Sequence, residues 1–428
     1  MLLGRAFSRV GGDICLPTLR FGLDMIGVHF LGYDCRSYHQ QKFLKVVNQF
    51  LQLYSGRKVV ELEMLFCIGR EFSSEFDQVM HSISKLGVER LRLHFDCGIV
   101  NPSSTINPDP NRYFNFSLEL LSQASSLKFL CLTACVVQPS VGVRLNSLKT
   151  LILMGAPLYK GQLEGILSSC LNLNQLIIQS CKLPYKLCIS GTVTFVGFTN
   201  CCGLEEIDLR ATDLHTLDYS FDERVRFYFS SVPVLKHVKI CLTGEAAMAY
   251  IFGEFARDLP DQVKSLTVTT YYNQVTHFPT ETQVFRNLRK LVLLVVDTDY
   301  IDIFKVSPVL DACPLLQYLD LVRRHSYNGK AIGSHHTRPP LSPTYHTELK
   351  DVRFGGFRGK GEEIDLAIYI LKSAKLLDQM FLTQYLISPC VDIYYGYDIW
   401  KKREGQRIAI EQQRQAQAIS SNAVVIIK

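Results

Sequence analysis

An α/β solenoid of repeated strand–helix units is the fold class that this 428-residue sequence predicts, and three observations predict it. A short pattern, apolar-x-x-apolar-x-apolar, occurs eleven times, with successive starts 21 to 39 residues apart. The stretches between these occurrences carry one-sided helical spacing. The chain is 47% hydrophobic and only 20% charged, enough apolar surface for a sizeable core and too much for a disordered or collagen-like chain.

The occurrences run in order along the chain. They begin as Val59…Leu62-Glu-Met64, Val88…Leu91-Arg-Leu93, Leu127…Leu130-Cys-Leu132 and Leu148…Leu151-Ile-Leu153. Leu173…Leu176-Ile-Ile178, Leu204…Ile207-Asp-Leu209, Leu235…Val238-Lys-Ile240 and Val263…Leu266-Thr-Val268 follow. Leu288…Leu291-Val-Leu293, Leu316…Leu319-Asp-Leu321 and Leu349…Val352-Arg-Phe354 close the series. Each reads as a strand with two inward apolar side chains. Helical returns are predicted over Ser74–Leu86, Ser117–Ser125, Lys160–Cys170, Glu245–Leu259 and Ile303–Leu316. Leu163, Ile166, Leu167 and Cys170 give one of them its i, i+3, i+4, i+7 face. One unit cannot bury its own apolar face, whereas stacked units share a core. Strand plus helical return at this period describes a leucine-rich repeat. The uneven spacing, and an Asn or Cys that is mostly missing after the strand, predict an irregular horseshoe of about eleven units. Two Pro-rich loops interrupt it, Asn101–Pro110 and the stretch from His325 to Thr347.

Composition narrows the function classes. The net charge is +6, and residues 401–428 hold six bases and two acids, a net of +4, leaving +2 for the other 400 residues. A near-neutral body lacks the concentrated basic face that tracks a phosphate backbone, so no nucleic-acid partner is expected. The apolar runs Leu291–Val296 and Val424–Ile427 are far too short to span a bilayer. Arg5 and Arg9 interrupt the first ten residues, which do not read as a secretory signal. The expectation is a cytoplasmic or nuclear protein without a membrane partner. In that setting the fourteen cysteines, several of them inside apolar runs and none in a Cys-x-x-Cys pair, read as small buried hydrophobes.

No catalytic constellation is legible. Gly355-Gly-Phe-Arg-Gly-Lys-Gly361 lacks the spacing and the terminal Ser/Thr of a phosphate loop and reads as a tight turn. His325, His335, His336 and His346 have no carboxylate or cysteine at ligand spacing, so neither a metal nor a cofactor is expected. Recognition is expected on the concave strand face, where solenoids bind. Strand alternation points the residue between the last two apolar positions outward. That column reads Glu63, Arg92, Cys131, Ile152, Ile177, Asp208, Lys239, Thr267, Val292, Asp320 and Arg353. With Phe129 from the neighbouring column, Cys131, Ile152 and Ile177 suggest an exposed apolar contact, with Asp208 and Lys239 further along the column; the alternatives are a strand covered by the 101–110 loop or a slipped register.

The C-terminal stretch adds a resemblance. His346-Thr-Glu-Leu-Lys-Asp-Val-Arg-Phe-Gly-Gly-Phe-Arg-Gly359, followed by Glu362-Glu-Ile-Asp-Leu-Ala-Ile-Tyr-Ile-Leu-Lys-Ser-Ala374, resembles the FBD segment of plant F-box/LRR proteins. Phe285–Leu291 looks like the entry to the preceding repeat of that family, and the resemblance covers roughly residues 20–428. It implies a non-catalytic receptor that selects protein substrates for an SCF ubiquitin ligase. Such receptors open with a Leu-Pro-rich F-box that docks a Skp adaptor and, through it, cullin. Nothing before Cys35 has that pattern, so those partners are implied only where an F-box is supplied. The alternative is a free-standing LRR scaffold or decoy. The expected organisation is an N-terminal segment over 1–42, the repeats over 43–324 and a linker over 325–345. An FBD-like cap over 346–400, with helix Glu362–Met380 covering the last strand, and a basic tail over 401–428 complete it.

Overall fold

Each apolar-x-apolar doublet forms the middle of a short parallel strand, and the computed structural model shows how these strands are paired. It describes residues 18–22, 37–55, 59–68, 70–95, 113–221, 224–243, 247–271, 283–296, 303–324, 345–359, 361–384 and 418–427. The chain divides into two compact units, Met1–Leu214 with Ser230–Pro233, and His215–Phe229 with Val234–Lys428.

The first unit runs β1 (Thr18–Gly22), α1 (Ser37–Leu53), β2 (Glu61–Leu65), α2 (Ser73–Lys85), β3 (Arg90–His94), β4 (Phe114–Ser117) and β5 (Phe129–Thr133). It continues with β6 (Cys135–Gln138), β7 (Thr150–Met154), α3 (Gln162–Ser169), β8 (Gln175–Gln179), β9 (Lys186–Ser190), β10 (Phe195–Thr199) and β11 (Glu206–Arg210). Its main sheet is parallel in the order β1-β2-β3-β5-β7-β8-β10. Register stacks Leu62, Leu91, Leu130, Leu151, Leu176 and Val196 in one inward column, all almost fully buried. Met64, Leu93, Leu132, Leu153, Ile178 and Phe198 form the next. The return segments carry two short parallel pairs, β4–β6 and β9–β11. Phe66, Phe76, Phe95, Phe114 and Phe116 pack as a ring cluster under α2 and β4, with Phe95 and Phe114 stacked at 4.8 Å.

The exit from each strand is a repeated device. Ala134, Gly155, Ser180 and Asn200, which follow β5, β7, β8 and β10, all take left-handed backbone, with φ of 56, 64, 52 and 51°. The next residue then turns inward: Cys135, Ala156, Cys181 and Cys201 are buried. The Cys181 thiol donates to the carbonyls of Gln179 and Leu153 at 3.3 and 3.6 Å, and Cys201 to those of Ile178 and Thr199 at 3.5 Å each. These cysteines occupy the Asn/Cys position of the repeat signature. Among the predicted occurrences Cys135 and Cys181 fill it in those beginning at Leu127 and Leu173, and Cys201 fills it in a further repeat that begins at Val193.

The second unit runs β12 (Thr216–Phe221), β13 (Arg226–Tyr228), β14 (His237–Thr243), α4 (Ala247–Tyr250), α5 (Ala256–Asp258), β15 (Ser265–Tyr271) and β16 (Lys290–Val296). It ends with α6 (Ser307–Asp311), β17 (Tyr318–Arg324), β18 (Asp351–Gly355), α7 (Gly361–Ser373), β19 (Gln379–Thr383) and β20 (Val424–Ile427). Its sheet is parallel in the order β12-β14-β15-β16-β17-β18-β19-β20. Here the inward columns are Leu217 through Val425 and Tyr219 through Ile427.

Several segment boundaries change. The occurrence at Leu204 lies in β11 and pairs with β9, outside the main sheet. The N-terminal segment supplies β1, which pairs with β2. The FBD-like segment continues the ladder: α7 ends at Ser373, Met380 lies in β19, and β20 follows from the predicted tail. Most of the Asn101–Pro110 and His325–Thr347 loops, and residues 401–417, lie outside the described residues.

The segment after β17 is held by charge as well as by apolar contact. Arg323, fully buried at the end of β17, lies 3.1 Å from Glu362 and 3.2 Å from the fully buried Glu363. The second oxygen of Glu363 accepts the Arg358 amide at 2.8 Å. Asp311 accepts the Tyr369 hydroxyl, which also lies 3.2 Å from His346 Nε2, tying α7 to the end of α6.

Two outcomes follow for stability. Gly203 has φ of 84°, and a Cβ there would sit 2.8 Å from the Leu183 carbonyl oxygen. Gly203→Ala is expected to lower stability by about 1–3 kcal/mol in denaturant unfolding, while Gly142→Ala, with open space around it, shifts the midpoint little. Arg323→Met leaves a buried carboxylate without its cation and is expected to cost about 3–5 kcal/mol. Adding Glu363→Gln is expected to recover part of that loss in the same measurement.

Candidate functional site

On the outward side of the first unit, register lines up Arg20, Glu63, Arg92, Cys131, Ile152, Ile177 and Gly197 across β1 to β10. The neighbouring column reads Glu61, Arg90, Phe129, Thr150, Gln175 and Phe195. Ile152 and Ile177 are half-buried, as an outward apolar contact requires. Phe195 and Gly197, which the repeat pattern does not single out, complete the cluster. A Cβ on Gly197 would lie 3.0 Å from the Phe195 ring and 3.8 Å from Ile177 Cγ1, so the bare backbone there is the floor on which Phe195 rests.

Two of the predicted apolar residues are not exposed. Phe129 is covered by Arg90 and Arg92, whose guanidinium carbons sit 4.0 and 4.5 Å from the ring centroid. Cys131 is buried beside Arg92, and burial pushes its thiol pKa up while Arg92 opposes the shift. Long cationic side chains on β3 thus roof the start of β5. A charge ladder continues from them: Arg92 to Glu61 at 2.7 Å, Arg90 to Glu61 at 3.7 Å, Arg20 to Glu63 at 3.2 Å and His94 to Glu63 at 3.5 Å.

Asp208 does not adjoin this face, because β11 pairs with β9; its register partner is Cys188. Its carboxylate pairs with Arg210 at 2.7 Å. Burial works against ionisation there, and hydrogen bonds from Ser230 and Arg210 outweigh it, so the pKa is lowered. The ladder position assigned to Asp208 belongs in the first unit to Gly197 and in the second to Asp218. Lys239 is outward and exposed as predicted, on β14 of the second unit, 3.9 Å from Asp218.

The outward column of the second unit, Asp218, Lys239, Thr267, Val292, Asp320 and Arg353, holds an unusual acid. Asp320 is 1% exposed and its Oδ1 has no hydrogen-bond partner. Arg353, its register neighbour, leans on Tyr318 instead, with its guanidinium 5.7 Å from the ring centroid, and Lys290 lies 5.0 Å from the same ring. Burial raises the Asp320 pKa to about 6, against the pull of Arg353 and Lys290.

The remaining candidate chemistry resolves into structure. In the glycine-rich turn, Gly356 and Gly359 take positive φ, and the amides of Phe357 and Arg358 are bound by Thr383 O and Glu363. Those two donors are committed within the chain. Among the described residues no group of three His, Cys, Asp or Glu side chains is arranged to hold a metal, and no helix is long and apolar enough to cross a membrane. His346 joins the Tyr369–Asp311 network, while His325, His335 and His336 lie outside the described residues. An open groove of about 730 Å³ between α1 and α2 is lined by Leu51, Tyr54, Asp77, His81 and Lys85, away from the outward strand columns.

Parallel short strands, inward leucine columns and the left-handed strand exit with its buried Cys are the marks of one repeat class, and the comparison with known families agrees. A family model described as At1g61320/AtMIF1, LRR domain, matches residues 50–424. The chain belongs to this plant leucine-rich-repeat family. The match to the At1g61320/AtMIF1 LRR domain runs from within α1 to the start of β20. A leucine-rich-repeat domain is a protein-interaction module, and its strand face is the surface that the register aligns. No curated protein matches the sequence.

The buried carboxylate gives a pH signature. With a folded pKa near 6 against 3.8 unfolded, between about pH 4 and 6 Asp320 stays protonated in the native chain while the unfolded chain ionises. Its contribution therefore falls as pH rises from about 4 to about 6 and stays unfavourable above. Asp320→Asn is expected to raise stability at pH 8 by up to about 3 kcal/mol, an advantage that disappears by pH 4 in parallel denaturation curves.

Proposed function

We propose that the chain is a non-catalytic protein-recognition module that engages a protein partner through the outward strand face of its first unit. The observation that carries this reading is the half-buried apolar cluster of Ile152, Ile177 and Phe195, set on the strand side of a leucine-rich-repeat sheet and bordered by Arg90 and Arg92. Apolar centres bordered by Arg are the composition of protein interfaces. The finer reading is the substrate-selecting part of an SCF ubiquitin ligase in cytoplasm or nucleus. It is supported by the resemblance of His346–Ala374 to the FBD segment, and Skp adaptor and cullin enter it only through a supplied F-box. The second reading is a free-standing scaffold or decoy uncoupled from ubiquitination. The family match supports an LRR domain, which serves this reading as well as the first.

The test combines variants with capture. Ile152→Asp with Ile177→Asp is expected to abolish partner capture from plant extract while circular dichroism and the unfolding midpoint stay close to wild type. Loss of folding would make the two isoleucines core and overturn the reading. Skp adaptor and cullin among the captured proteins would favour the ligase setting, and a reproducible partner without them would favour the scaffold.

A further inference from the structure

The charges around the apolar cluster are not equally available. In the first unit the side chains of Arg20, Arg90 and Arg92 are 63, 35 and 30% exposed, whereas Glu61 and Glu63, which pair with them, are 20 and 24% exposed. Three guanidiniums therefore face outward over two recessed carboxylates. Two of the three sit over the Phe129 ring, which holds them in place. A guanidinium seated over a ring loses less further freedom on binding a carboxylate, and it carries more N–H donors than one carboxylate uses. The outward face of the second unit shows the same inequality: Arg353 is exposed with Tyr318 as its contact, and Asp320 beside it is buried.

Building on the recognition reading above, we propose that the partner of the first unit is an acidic protein segment. It places an Asp or Glu carboxylate on Arg90 and Arg92 and an aliphatic or aromatic side chain on Ile152, Ile177 and Phe195. The register sets the spacing. Arg92 and Ile177 are three strands apart, roughly 14 Å at about 4.8 Å per strand. An extended segment crossing the strands covers that distance in about four residues, so the acid and the apolar anchor are three to five positions apart. Arg20 is the most exposed of the three, while Arg92 keeps its part-buried 2.7 Å pair with Glu61, so an incoming carboxylate shares the guanidiniums from the solvent side and leaves those pairs in place.

The test uses a phage-displayed random dodecapeptide library panned on the full chain, followed by synthetic peptides from the enriched clones and affinity measurement by fluorescence anisotropy. Expected are sequences with Asp or Glu three to five residues from Leu, Ile, Val, Phe or Met. Their affinity is expected to drop about tenfold in Arg92→Ala and to weaken with added salt. Because Arg92→Ala also uncovers Phe129, Arg20→Ala serves as a variant that leaves the ring roofed, with an expected loss of two- to fivefold. Lys160→Ala, an exposed cation in a return segment, leaves binding unchanged. Binders rich in Lys or Arg that still require Ile152 and Ile177 would overturn the acidic partner and leave the recognition face standing. Absence of enrichment, or binders indifferent to Ile152→Asp with Ile177→Asp, would overturn both.

Discussion

Parallel pairing between successive short strands is the constraint on which everything else here depends. A five-residue strand with two inward side chains cannot bury them alone, and its backbone groups need a neighbour on each side. The chain meets both needs at once by bringing every strand back in the same direction and register, so that Leu62 to Val196 form one column in the first unit. That requirement fixes the rest. The strand must end in an abrupt change of direction, which Ala134, Gly155, Ser180 and Asn200 supply with left-handed backbone. The residue after the turn must fill a small inward space, which Cys135, Ala156, Cys181 and Cys201 do. What remains outward is free of these demands.

Much of this was legible because burial on one face leaves a period-two signature. Ten of the eleven apolar patterns in the sequence mark strands of the main sheets. Helix α2 lies within a residue of its predicted span, since Phe76, Val79, Met80 and Ile83 write an unbroken amphipathic face. The failures have specific causes. β10 reads Phe-Val-Gly-Phe-Thr, with Gly197 in the outward slot and Val193 as its entry, so a leucine-based pattern passes over it. β11 carries the full pattern yet belongs to the β9 pair, because alternation reports that one face is buried and not against which sheet. β19 and β20 follow a helix that propensity alone would run on to Met380.

The proposed recognition face shows a different limit. Outward direction was right for Phe129, Cys131, Ile152 and Ile177, but direction is a property of one strand, while cover is a property of its neighbours. Arg90 and Arg92, one strand away and 39 residues earlier in sequence, roof Phe129 and Cys131 and leave the two isoleucines open. The unpaired Asp320 oxygen is equally invisible in sequence, since Arg353 stands opposite it and stacks on Tyr318 instead.

The cysteines at the strand exits carry a consequence for oxidative chemistry. Peroxide attacks the thiolate, and burial moves the Cys181 thiol up to about 12, so at neutral pH about one in 10⁵ is ionised. Cys135 and Cys201 are pushed up as well. Cys202, one residue beyond Cys201, faces solvent. One step along the backbone thus separates a buried thiol shielded from sulfenic acid formation from a solvent-facing cysteine, and which cysteines oxidants can reach is written in the phase of the chain's turns.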